Sequence, residues 1–399
     1  MSFAEIHPGI RYVGVNDRTT TRFEALWPLP AGVSYNAYLV VGERIALIDT
    51  VEERFGGLLL ENIRREIGDR KIDYLVINHM EPDHSSSIEA LRLRYPDIRL
   101  VSNAKALQMV EGFYGSKAAT LEIKEGDTLD LGGLTLTFCM APMVHWPETM
   151  VTWCPERRTL FSGDAFGTFG ALNGGVTDSQ LDPALYWDEM RRYYASIVGK
   201  YGSPVQKALE KVRGLDPATI CSTHGPVWQA QIPQVLDLYD RMSSYRGEPG
   251  VVIAYGSMYG HTEQMAERIA RHLAEAGVRR IAMHNLTYAD PSYVLRDLFR
   301  YDTLVVGSPT YNGALFPPVA QLLEMVAARN IPQRNFAFFG SFCWAGCAVR
   351  NMAEFAQRMK WEPAADAVEM KQGFSDDADA ACRKLAQQIA ARMDKTSEK

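Results

Sequence analysis

The sequence predicts a two-domain α/β protein, an αββα sandwich followed by a doubly wound parallel sheet. Three observations carry this. Short apolar strand runs cluster with flanking helices through the first 240 or so residues. The last 150 residues repeat a strand–helix unit five times. Between them, Ser243-Ser244-Tyr245-Arg246-Gly247-Glu248-Pro249-Gly250 is small, polar and turn-forming, which sets the domains at 1–246 and 250–399.

In the first domain, strands are expected at 9–15, 33–41 and 44–50, the last two joined by the turn Val41-Gly42-Glu43. Helical spacing covers 55–67. The apolar run 72–78 reads as a buried strand, and 85–93 as a helix with serines able to cap its start. Leu131-Gly132-Gly133-Leu134 is a hairpin turn inside 128–140. A strand pair follows around 150–161, then helices at 181–197 and 205–212, and a short strand at 219–222. The second domain alternates strands at 251–257, 281–286, 303–308, 335–341 and 364–370 with helices near 262–277, 290–300, 317–329, 345–360 and 376–394. The first of these helices places Met265, Ile269 and Leu273 on one face.

Composition narrows the function. Hydrophobic content of 47% and charge of 23% suit large cores. A net charge of -6 disfavours nucleic acid and anionic membranes as partners. No apolar run is long enough to span a membrane, and residues 1–8 show no signal-peptide pattern. Six scattered cysteines without a Cys-x-x-Cys pair fit a reducing cytoplasm and exclude a rubredoxin-type iron site within these residues.

The densest chemical signal is His79-Met80-Glu81-Pro82-Asp83-His84, which follows the buried strand at 72–78 directly. His79, Glu81 and Asp83 are spaced by two, so an extended chain would aim them the same way. Pro82 favours that geometry by pushing Glu81 out of the α region. Downstream, His145, Asp164 and His224 each sit in a loop beside or after a strand. Four imidazoles and three carboxylates suffice for two adjacent metal ions.

A second constellation lies in the C-terminal domain. Ser257, Met258, Tyr259, Gly260, His261 and Thr262 link the first strand to its helix, where backbone N–H groups, the helix end and two hydroxyls can hold a phosphate. No Gly-x-Gly-x-x-Gly fingerprint is present, which favours FMN over a dinucleotide. Two further strand ends carry Pro309-Thr310-Tyr311-Asn312-Gly313 and Ser341-Phe342-Cys343-Trp344-Ala345-Gly346, suited to wrapping an isoalloxazine. Trp344 is the first candidate to stack on or flank the ring, Tyr311 the second. Cys343 and Cys347 read as buried structural cysteines.

His-x-Glu-x-Asp-His followed by His, Asp and His resembles the metallo-β-lactamase superfamily. Within it, the chain resembles the flavodiiron proteins, also called A-type flavoproteins or rubredoxin:oxygen oxidoreductases. Zinc hydrolases of the superfamily usually have His where this chain has Glu81, and a carboxylate there suits iron. The resemblance covers the whole chain, through the metal motifs, the flavin loops and the domain order. It implies a metallo-β-lactamase-like domain followed by a flavodoxin-like one. It implies that His79, Glu81 and His145 hold one iron, that Asp83, His84 and His224 hold the other, and that Asp164 bridges them. Tyr194 resembles a family tyrosine near the diiron pocket; packing of a helix face on the core is an equal reading of it.

The implied activity is reduction of O2 to water, of NO to N2O, or both, with FMN passing electrons from a rubredoxin or similar one-electron donor. The implied assembly is a head-to-tail homodimer, or a dimer of such dimers, with FMN of one chain serving the diiron site of the other. The alternative from another class is a zinc hydrolase domain tethered to a flavodoxin-like electron carrier. A gas or redox sensor ranks below both, since no DNA-binding element or output domain is visible.

Overall fold

A computed structural model describes residues 5–397 of the chain, with side chains through 393. Two compact units divide at Ser243/Ser244.

Besides two two-stranded ribbons, Val15–Asp17 with Val33–Tyr35 and Arg22–Phe23 with Trp27–Pro28, the first unit contains two large sheets. One runs, in spatial order, Glu5–His7, Ile10–Tyr12, Tyr38–Val41, Ile45–Ile48, Tyr74–Val76, Arg99–Ser102 and Thr120–Glu122. Pairing is antiparallel up to Ile45–Ile48 and parallel from there on. The other runs Thr128–Asp130, Thr135–Met140, Met150–Cys154, Thr159–Gly163 and Thr219–Ser222, and only its last pair is parallel. The sheets meet through buried side chains. The rings of Tyr38 and Phe161 lie 5.5 Å apart, and Thr152 donates a hydrogen bond to Asn78 Oδ1 at 2.7 Å. Helices Gly56–Ile67 and Gly202–Leu215 bury Leu59 and Ile63, and Val205 and Leu209, as amphipathic helices on a sheet must. The hairpin at 131–134 forms because Gly132 and Gly133 both take positive φ, the requirement of a type I′ turn.

Several expectations were too coarse. The stretch 33–41 is two strands, Val33–Tyr35 and Tyr38–Val41, in different sheets. The break falls at Asn36, whose amide is drawn away to the carbonyls of Ser222 and Gly225. The helix expected at 85–93 is two pieces, Pro82–Ser85 and Ile88–Arg94. The helix expected at 181–197 is Ala184–Tyr193 closed by the wider π turn Tyr194–Val198. The sequence reading missed strands Arg99–Ser102 and Thr120–Glu122 and helices Ala104–Tyr114 and Ile232–Ser243.

The second unit is a parallel sheet in the order Ile281–Asn285, Glu248–Tyr255, Tyr301–Tyr311, Asn335–Phe342, Val368–Lys371. That is the 2-1-3-4-5 doubly wound order, whose switch point lies between the first and third strands. Val251, Ile253 and Tyr255 alternate onto one face, where they meet Met265, Ile269 and Leu273 of helix His261–Glu275 and Cys382, Leu385 and Ile389 of helix Asp376–Ser397.

Candidate metal centre

Strand Tyr74–Val76 is buried and delivers Asn78 and His79 to the strand's C-terminal end. Glu81 is still extended, with ψ 137°, as a residue before proline should be. Pro82 then starts a helical turn, Pro82–Ser85. The turn ends the alternation expected from the sequence: it separates Asp83 from His79 and Glu81 and sets it beside His84. One six-residue motif thereby supplies two sites.

The donors form two adjacent groups, His79, Glu81, His145 and Asp164 in one and Asp83, His84 and His224 in the other. In the first, His145 Nε2 lies 3.2 Å from His79 Nε2 and 3.1 Å from both Glu81 Oε2 and Asp164 Oδ2. In the second, Asp83 Oδ2 lies 3.3 Å from both His84 Nε2 and His224 Nε2. Asp164 reaches both groups: its Oδ2 faces the first, and its Oδ1 is 3.0 Å from His84 Nε2 and 3.7 Å from His224 Nε2. Donors bound about 2.1 Å from one ion stand roughly 3.0–3.5 Å apart in octahedral or tetrahedral geometry, so the spacing within each group fits one metal ion.

Polar satisfaction points the same way. Both carboxylate oxygens of Asp83 and the Nε2 atoms of His84 and His224 are buried without a hydrogen-bond partner. Burying such atoms unpaired costs about 1–3 kcal/mol each, a cost that a bound cation would remove.

The outer contacts fix which imidazole nitrogen faces the pocket. His79 Nδ1 donates to Glu148 Oε1 at 2.8 Å, and the same oxygen accepts from Met80 N at 3.0 Å. His224 Nδ1 donates to the Ser34 carbonyl at 2.7 Å. Both bonds leave Nε2 free for a metal. Thr223 Oγ1 donates to Asp164 Oδ1 at 2.6 Å. Asn36, by holding Ser222 and Gly225, fixes the turn that carries His224. Glu148, Ser34, Thr223 and Asn36 were not picked out from the sequence; a carboxylate three residues after His145 was the one available hint.

The buried charges act strongly on one another. Burial, opposed by nearby His84 and helped by Glu81 and Asp164, pushes the Asp83 carboxyl up to about 8. Burial alone would discharge His145, but its hydrogen bonds to Asp164 and Glu81 outweigh that and lift it to about 9. Burial lowers His224. Burial also works against charge on Asp164, yet His84 and His145 hold it well below the usual carboxylate range. A metal entering at neutral pH therefore displaces a proton from His145, and its affinity rises with pH.

Tyr194 is fully buried, with its ring 5.2 Å from that of Tyr239. The ring beside the metal donors is that of Tyr193, 5.4 Å from His224. Burial, then the charges of Asp164, Glu81 and Asp83, raise the Tyr193 phenol well above its usual range, and its hydroxyl has no hydrogen-bond partner. One residue along a helix is a rotation of about 100°, enough to exchange the two rings.

In the second unit the expected flavin loops gather at the C-terminal ends of strands Glu248–Tyr255, Tyr301–Tyr311 and Asn335–Phe342. Gly260, at φ 89°, holds the cap position of helix His261–Glu275 and has no side chain to cap it; Ser257 Oγ accepts from Glu263 N in the first turn at 3.4 Å. Ser257 Oγ accepts from Gly260 N at 3.1 Å, and the Thr262 and Ser341 hydroxyls are 2.9 Å apart. Thr310 Oγ1 accepts from Cys347 N and Ala348 N, which ties its loop to the start of helix Ala348–Met359. Asn312 and Gly313 form a two-residue hairpin turn, both with positive φ, between Tyr311 and Ala314. Pro309 closes the strand pairing opposite Ser341, and Phe342 ends its strand. Trp344 and Tyr259 are each 87% exposed, and Met258 and Tyr311 are also open to solvent. A glycine-led helix start, convergent hydroxyls and exposed aromatic rings suit a mononucleotide flavin, its phosphate at the helix and its ring against the aromatics. Thr287, which bonds both the amide and the carbonyl of Ser257, was missed in the sequence. The expectation for the cysteines is half corrected: Cys347 is buried, but Cys343 is exposed, because it lies in the turn before helix Ala348–Met359 begins.

Known proteins match both units. A family described as ODP family beta lactamase matches residues 33–225, and the flavodoxin family matches 253–392. An anaerobic nitric oxide reductase flavorubredoxin of Escherichia coli O6:K15:H31 is 31% identical over 90% of this chain and 78% of its own length. Among solved structures, the rubredoxin oxygen:oxidoreductase of Desulfovibrio gigas is 30% identical, with a TM-score of 0.94 over 99% of this chain and 100% of that one. The flavodiiron protein of Giardia intestinalis is 27% identical, with a TM-score of 0.94 over 99% and 97%.

Proposed function

The chain belongs to the flavodiiron protein family, and on that premise we propose that it reduces O2 to water, NO to N2O, or both. It is a diiron flavoprotein oxidoreductase whose cofactors are FMN and two non-haem irons. The observation that carries the reading is Asp164, with one carboxylate oxygen turned to each donor group. His79, Glu81 and His145 would hold one iron and Asp83, His84 and His224 the other, with Asp164 shared between them. When bound, reduced FMN and a ferrous pair supply two electrons each, which together match the four needed to take O2 to water, while two NO need two to give N2O.

The chain's own residues do the rest. Glu148 and the Ser34 carbonyl orient the imidazoles of His79 and His224. Burial of His79, His84, Asp164 and His224 keeps bulk water from the donors. The Tyr193 hydroxyl, held protonated beside the carboxylates, donates a hydrogen bond to a ligand in the pocket, near which the resemblance had put Tyr194. In the second unit Ser257, Thr262 and the N–H groups from Met258 to His261 hold the phosphate. Loops 309–313 and 341–346 flank the ring.

A rubredoxin or similar one-electron protein supplies the electrons, as the name of the Desulfovibrio gigas rubredoxin oxygen:oxidoreductase suggests. The six free thiols favour the cytoplasm, and no described helix is long and apolar enough to cross a membrane. The test of function is steady-state consumption of each gas with a reduced donor. Iron-loaded protein should consume at least one gas far faster than the metal-free, FMN-replete protein; equal rates would overturn the reading. The working unit is a head-to-tail homodimer in which FMN of one chain serves the irons of the other. Mixing His79→Ala with an FMN-free variant such as Ser257→Asp should restore activity through one intact junction. If subunits exchange and no activity returns, electrons do not pass between chains.

A further inference from the structure

The first unit encloses a small cavity beside the metal donors. Val144 and Ala165, the chain neighbours of His145 and Asp164, form part of its wall. Val151 of strand Met150–Cys154 and Leu209 and Val212 of helix Gly202–Leu215 form another part. The space open to the centre of a water-sized sphere is about 20 Å³, enough for one small guest.

The wall is poor in free polar atoms. Ser162 and Thr149 contribute to it, but Ser162 Oγ donates to the Ala165 carbonyl at 2.7 Å. Thr149 Oγ1 accepts from Trp146 N at 3.3 Å and stands 3.4 Å from His79 Nδ1. Of the lining hydroxyls, that leaves the buried Tyr239 phenol, which faces the backbone of Phe166 and Gly167. A buried water needs two to four polar partners, so one hydroxyl does not hold it. An apolar guest needs none and gains dispersion contacts with the aliphatic wall.

We propose that this cavity is a holding site for a small apolar diatomic gas, one residue removed from the metal donors His145 and Asp164. A gas that dissolves sparingly in water partitions into such a space and is kept beside the centre that consumes it. That the gas is O2 or NO rests on the function proposed above; that the cavity binds apolar gas does not.

The binding test uses crystals of the full-length protein with its cofactors, pressurised with xenon as the apolar probe. Xenon should appear between Val144, Ala165 and Leu209. It should disappear in Ala208→Leu, which fills the cavity from the same helix with a residue of similar helix propensity. It should gain occupancy in Leu209→Ala, which enlarges the space. An ordered water in the wild-type cavity, or no xenon there, overturns the proposal. The kinetic test compares wild type with Ala208→Leu at equal iron and FMN content. The KM for the gas should rise severalfold with kcat at saturation unchanged; an unchanged KM overturns the feeding role. If xenon binds but neither gas is consumed, the proposed function fails and the holding site stands.

Discussion

The metal centre and the flavin loops are both built at the C-terminal ends of strands, yet they solve opposite problems. His79, His84, Asp164 and His224 are completely buried, and outer groups such as Glu148, Ser34 and Thr223 clamp the site. The flavin loops keep Trp344 and Tyr259 almost wholly in water and offer hydroxyls and a helix end instead of charged donors. A metal ion needs a few atoms at fixed distances, so its site is pre-organised at the cost of buried charge. A planar flavin needs area and backbone N–H groups, so its site can stay open until the ligand covers it.

That contrast can be broken by substitution. Asp164→Ala should have the largest effect. It removes the one carboxylate shared by both groups, so iron content should fall from two per chain to nearly none while FMN content stays at one. Retention of both irons, measured by elemental analysis, would show that the two groups do not depend on Asp164.

Glu148→Gln should come next. The amide oxygen still accepts one hydrogen bond, but the charge that holds His79 Nδ1–H is gone. Loss of such an outer carboxylate typically costs about 10–100-fold in metal affinity. A chelator titration reads this directly, and an unchanged affinity would mean that the backbone alone orients His79.

Trp344→Ala should have the smallest effect and touch the other site only. Removing a stacking ring costs roughly 1–1.5 kcal/mol, so FMN affinity should weaken by about tenfold. Because Trp344 is 87% exposed, the melting temperature of the FMN-free protein should not change. Flavin fluorescence titration and a melting curve separate the two readouts.

The same contrast explains what could be read from the sequence. The seven candidate donors that the fold gathers were legible because His, Asp and Glu at the ends of apolar strands have few other reasons to be there. The partners Glu148, Asn36 and Thr223 were not, because which carboxylate or amide meets which imidazole is decided by sheet pairing far along the chain. The spacing by two at His79, Glu81 and Asp83 suggested one face, but Pro82 begins a helical turn, and periodicity cannot show where a strand pattern stops. Tyr194 and Tyr193 differ by one helical position, below what boundary reading resolves. Strand Thr120–Glu122 was missed because it is a three-residue edge strand, exposed at both ends, with too few buried residues to show alternation. The doubly wound sheet was legible throughout because its strands are apolar runs separated by long amphipathic helices.

The central claim is that the buried donors hold two irons at one bridged centre, with FMN in the other unit. The most direct measurement is the iron, zinc and FMN content of protein purified from iron-replete cells without added metal. The account predicts two irons and one FMN per chain, with zinc negligible. Zinc in place of iron, or a single metal per chain at full FMN occupancy, would contradict it.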